Sequence, residues 1–142
     1  MSKLCTFLIA VALCATLSSP AWAIMEFQKA FLQTYAEKHP DKEFSEFLSK
    51  KAKCFICHQG RKSKHNRNVY GQELAKLLDK KTDKKDEKKI AEALAKVGKM
   101  PSDPKNKDSK TFAELIAASK LPGGELEELM KEPPQSDKDK QE

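Results

Sequence analysis

Residues 54–58 read Cys54-Phe55-Ile56-Cys57-His58, two thiols three positions apart with an imidazole directly after the second. Three residues make most of a helical turn, so both sulfurs face one way and His58 is carried beside them. Basic residues crowd both flanks: Lys50, Lys51 and Lys53 before the motif, and Arg61, Lys62, Lys64 and Arg67 after it.

Far upstream, Lys3 precedes an apolar stretch from Leu4 to Leu17 that only Thr6 interrupts. Ser18, Ser19 and Pro20 break it, and Ala21-Trp22-Ala23 has the small-x-small pattern of a signal-peptidase site. The expectation is a cleavable signal peptide over residues 1–23 and a periplasmic or otherwise exported protein. The apolar run is short for a bilayer and lacks a stop-transfer flank, so no transmembrane anchor is expected after cleavage. Cys5 and Cys14 leave with that segment, and Cys54 and Cys57 are then the only cysteines. One close pair is not the framework of a disulfide-stapled secreted fold.

The mature chain is 142 less 23 residues, or 119, enough for one domain. We expect that domain over residues 24–130 and a disordered charged tail over 131–142, where Pro133-Pro134 and alternating charges offer no apolar face. Only 39% of the whole chain is hydrophobic, which limits the apolar surface available to offset conformational entropy. An internal apolar cofactor would make up part of that deficit.

Helical spacing dominates the domain. Ile24 to Lys38 places Ile24, Phe27, Phe31 and Tyr35 on one face, and His39-Pro40-Asp41 ends it. Glu43 to Ala52 is a second helical stretch that runs straight into the motif. Val69 to Lys80 carries Leu74, Leu77 and Leu78, and a further helix with Ile90, Leu94 and Val97 stops at Gly98. Lys99 to Lys110, with Met100-Pro101 and Pro104, reads as a surface loop. Thr111-Phe112-Ala113-Glu114 has capping-box spacing for another helix, which Leu121-Pro122-Gly123-Gly124 stops. No strand pattern or repeat is visible, so the expected fold is all-α, a bundle of about four to five helices.

The motif points to a definite chemistry. Two thiols at this spacing can each add to one vinyl group of haem, forming two thioethers, and the next histidine can bind the iron. A structural zinc site needs four nitrogen or sulfur ligands, and there is no second cysteine pair to supply them. A thioredoxin-like pair needs a strand-helix-strand context, which is missing. A disulfide closing so short a loop adds little by loop entropy. The expected cofactor is therefore one covalent haem c, attached at Cys54 and Cys57, with His58 as the proximal iron ligand.

With the export signal, the motif resembles the small periplasmic monohaem cytochromes c of class I, and the run Arg67-Asn68-Val69-Tyr70-Gly71 also resembles a group of small bacterial monohaem proteins, the similarity covering Glu43 to Leu121. The resemblance implies helices wrapped around the haem, a methionine loop before a terminal helix, and electron transfer rather than enzymatic turnover. The chain departs from that pattern before the motif, where no glycine occurs in the mature sequence and Phe44 and Phe47 sit at other offsets.

Two residues are candidates for the second axial position. Met100 lies 42 residues after His58, enough chain to cross to the other haem face. His65 is the alternative, since seven extended residues reach roughly 23 Å and can round the ring edge. An iron with neither would be five-coordinate, as in a haem sensor or a peroxidase-like protein; a haem subunit of a larger redox complex is a further alternative. Tyr70, Phe47, Leu48, Phe55, Leu74, Leu78, Leu94, Phe112 and Ile116 are candidates to line the haem pocket or the core around it.

The net charge of +6, or +5 without Lys3, and the basic flanks suit redox partners with acidic docking surfaces. Nucleic acid is not an expected partner of an exported chain without a recognised binding motif.

Overall fold

The computed structural model describes residues 23–134. The expected signal peptide, but for Ala23, and residues 135–142 of the expected tail lie outside the described residues.

Helix α1 (Ala23–Phe31) runs on as a π-helical turn over Leu32–Ala36 and ends before Pro40. Asp41 caps α2 (Lys42–Phe47), its carboxylate accepting from the Phe44 amide at 3.0 Å. A second π-helical turn, Leu48–Ala52, carries the chain to a 3-10 turn at Lys53–Ile56. Asn68 and Asp86 cap α3 (Val69–Leu77) and α4 (Glu87–Gly98) through their side chains. The capping box expected at Thr111 and Glu114 is present and starts α5 (Phe112–Ala117). A last short helix, α6, spans Leu126–Leu129.

The all-α expectation is corrected here. Between α4 and α5, strand β1 (Pro101–Asp103) pairs antiparallel with β2 (Asn106–Thr111), Pro101 opposite Thr111 and Asp103 opposite Asn106. The fold is mixed, helical with one small two-stranded sheet, rather than a pure helical bundle. The reason lies in local side-chain chemistry. Asp103 Oδ1 accepts from the Lys105 amide at 2.9 Å and closes the turn, while Ser109 Oγ accepts from the Asp103 amide at 3.0 Å. The hairpin buries no apolar face, so no alternating pattern announces it.

The core gathers around Tyr70, which is fully buried on α3. Phe112 of α5 meets it edge-on at 5.1 Å and Phe31 of α1 at 5.8 Å. Leu48, Ile56, Leu94 and Ile116 complete this centre. No helix among the described residues is long and apolar enough to cross a membrane.

Candidate functional site

The turn that carries the two cysteines is set by the backbone on both sides. Lys53 has φ +42°, a conformation that L side chains rarely adopt, and it breaks the preceding helical turn so that Cys54 starts a new direction. The Cys57 and His58 amides both donate to the Cys54 carbonyl, at 3.3 and 2.9 Å, and close the turn. Both thiols are free and half-buried. Burial pushes the Cys57 thiol up to about 12, reinforced by Cys54 and opposed by the Arg67 guanidinium.

Asn68 holds this turn from below. Its buried amide nitrogen donates to the carbonyls of Phe55 at 2.9 Å and Ile56 at 3.1 Å. Its amide oxygen accepts from the Gly71 amide at 2.9 Å, which caps α3, and its own backbone N–H donates to the Cys57 carbonyl at 3.1 Å. One side chain thus ties α3 to the cysteine turn. Gly71 allows the same approach, because a Cβ there would collide with the Cys57 carbonyl.

Beyond His58 the chain turns back on itself. His58 and Arg67 form an antiparallel bridge, and the Gln59 amide donates to the Asn66 carbonyl at 3.1 Å. That carbonyl also lies 3.2 Å from His58 Nδ1. A carbonyl only accepts, so it selects the tautomer with the proton on Nδ1 and leaves the Nε2 lone pair free. Burial lowers the His58 pKa, helped by the Lys64 and Arg67 charges and opposed by the Asn66 carbonyl, which favours a neutral imidazole. Glu132, just after α6, fastens the loop from outside by accepting from the Arg61 and Lys62 amides at 2.8 and 3.0 Å.

Cys54, Cys57 and His58 line one cavity of about 370 Å³. Phe27 and Phe31 of α1, Leu74 of α3, Leu78 just after it, and Ile90 and Leu94 of α4 give it apolar walls. Lys53, Lys64, Arg67 and Lys80 also line it, and none of the four is in an ion pair among the described residues.

Of the two candidate distal ligands, His65 lines this cavity and Met100 does not. Met100 sits at the entry to the hairpin, partly buried against the core, its amide bonded to the Val97 carbonyl and its carbonyl to the Phe112 amide. Among the residues expected around a pocket, Leu74, Leu78 and Leu94 line the cavity. Leu48, Tyr70, Phe112 and Ile116 are core, Phe47 packs on its edge, and Phe55 lies under the Lys64 ammonium at 5.9 Å. No cluster of three or more His, Cys, Asp or Glu side chains is placed to hold a metal ion among the described residues.

Sequence reading did not single out Asn68 and Gly71 as builders of the site. Their signal is an asparagine just before a helical run, the usual N-cap, followed by a glycine three positions on.

Comparison of the chain with protein-family models, with curated proteins and with solved structures returns no match.

Proposed function

We propose that this chain is an exported monohaem c-type cytochrome that carries electrons, its haem linked through Cys54 and Cys57 and its iron held by His58. The observation that carries the reading is the union, around one cavity with apolar side chains, of both free thiols and an imidazole with its Nε2 lone pair unengaged.

The donor set and the cavity suit haem. Two thiols three apart match two vinyl groups, and a neutral imidazole matches iron. Phe27, Phe31, Leu74, Leu78, Ile90 and Leu94 match an apolar macrocycle, and the cations lining the cavity match carboxylates. When bound, haem supplies a one-electron couple at its iron. The chain's own residues do the rest. The Asn66 carbonyl orients His58, Asn68 holds the cysteine turn, and α1 and α4 supply apolar side chains to the cavity. Lys53, Lys64, Arg67 and Lys80 offer an acidic redox partner a cationic surface beside the haem.

Haem staining after denaturing electrophoresis tests this. Protein exported in cells with a haem-maturation system should keep its haem, and the double variant Cys54→Ala, Cys57→Ala should lose it. Loss of haem from the wild type on denaturation would defeat the proposal.

A further inference from the structure

The loop after His58 is fastened by the end of the chain. Leu121 and Pro122, ahead of α6, are buried, and so is Leu129, its last residue, which anchors this segment in the core. A helix leaves its final carbonyls without partners of its own. The Leu129 carbonyl finds one across the fold, the Gly60 amide at 2.8 Å. Gly60 stands at φ +77°, a conformation glycine adopts freely, and the two amides that follow it converge on one oxygen. That oxygen is Glu132 Oε1, which accepts from Arg61 at 2.8 Å and from Lys62 at 3.0 Å.

Successive amides converging on an anionic oxygen make a small concave anion site, and here the chain supplies its own anion. The fit is close, because a Cβ at Gly60 would strike the Glu132 carboxylate. Met130 adds a contact from its sulfur to the Arg61 guanidinium at 3.8 Å. Glu132 is in no ion pair among the described residues, so it holds the loop by its backbone rather than by its charges.

The loop carries this restraint to the imidazole. The Gln59 amide donates to the Asn66 carbonyl at 3.1 Å, and His58 and Arg67 pair across the loop's base. The Asn66 carbonyl is the oxygen 3.2 Å from His58 Nδ1. Residues 60–62, which the end of the chain grips, lie between these two arms.

Building on the haem attachment proposed above, we infer that Leu129 to Glu132 is a latch on the 59–66 loop, and that Glu132 is a positioning residue for His58. Latched, the loop presents the Asn66 carbonyl and keeps the imidazole proton on Nδ1. Unlatched, the loop draws away from the ring, which then rotates and exchanges tautomers. Outer contacts of this kind orient a ligand through its hydrogen-bond partner. The histidine is therefore prepared only once the end of the chain has docked.

The haem-free chain, isotope-labelled in nitrogen, tests this without any cofactor. At about pH 8 an imidazole is neutral, and its nitrogen chemical shifts tell which atom carries the proton. The wild type should carry the His58 proton on Nδ1 and exchange the Arg61 and Lys62 amides slowly. Glu132→Ala should give a mixture of His58 tautomers. It should also speed exchange at Arg61 and Lys62 by about tenfold or more, while the Ile90 and Leu94 amides of α4 keep their rates. Glu132→Gln, whose side-chain oxygen still accepts, should restore most of both properties. A wild-type proton on Nε2 overturns the inference, as does a Glu132→Ala chain in which either readout stays unmoved. Equal acceleration in α4, or a Glu132→Gln chain no better than alanine, overturns it too. Haem staining after denaturation reads the attachment separately, so a failed latch leaves that proposal standing, and lost haem defeats it whatever the tautomer.

Discussion

His58 Nδ1 stands 3.2 Å from the carbonyl oxygen of Asn66, eight residues further along the chain, and this contact fixes both the tautomer of the imidazole and the side on which the following loop lies. The loop is held in turn by Glu132 and by the amide of Gly60, which donates to the Leu129 carbonyl at 2.8 Å. Residues near the end of the chain therefore support the ligand geometry near its middle.

Asn68→Ala should be among the most damaging substitutions outside the motif. It removes the cap of α3 and leaves the buried Phe55 and Ile56 carbonyls without their donor. The expected loss is about 2–4 kcal/mol, read from urea unfolding of the haem-free chain. Asn68→Asp keeps the cap oxygen but not the donor, and should fall between wild type and alanine.

Gly71→Ala forces a methyl group against the Cys57 carbonyl. Overpacking of this kind costs about 1–3 kcal/mol or shifts the backbone. Because the atom struck belongs to the cysteine turn, the variant should also acquire covalent haem less completely, measured as haem absorbance per chain. Unchanged stability with full haem loading would show that α3 does not press on that turn.

Asp83 ties α3's exit to α4 by accepting from the Asp79 amide at 2.8 Å and pairing with the Lys89 ammonium at 2.7 Å. The Asp79 amide, with Lys89 and Thr82, lowers its carboxyl from 3.8 to about 2. A depressed folded-state value means the unfolded chain binds the proton more readily. The contribution is thus complete above pH 3.8 and lost as pH falls through about 2. Thermal melts of wild type and Asp83→Asn should differ at neutral pH and converge in that acid window.

The rim cations should govern partner encounter. Charge reversal at Lys64 and Lys80 should slow reduction or oxidation by an acidic protein partner at low salt. The difference should shrink as the Debye length falls from about 30 Å to about 10 Å. A rate indifferent to both changes would make these residues plain solvated surface.

The helical elements were legible from apolar stripes at helical spacing, and at α2, α3, α4 and α5 also from a capping side chain at the start. Phe27, Phe31 and Tyr35 on α1, and Ile90, Leu94 and Val97 on α4, are examples. The hairpin at 101–111 was not legible, because its strands are made by Asp103 and Ser109 bonding locally and bury no apolar face. The motif was legible as chemistry, and its supports were not. Asn68 acts through backbone carbonyls twelve and thirteen residues away, a contact that exists only once the chain has folded. Sequence distance admits both Met100 and His65 near the motif, and it is the fold that puts His65 rather than Met100 on the cavity with Cys54, Cys57 and His58.

The most direct measurement is the intact mass of the exported, purified protein under denaturing conditions, before and after alkylation of free thiols. The account predicts a mature chain plus one haem with neither Cys54 nor Cys57 open to alkylation. A chain at its polypeptide mass alone, taking up two alkyl groups, would contradict it.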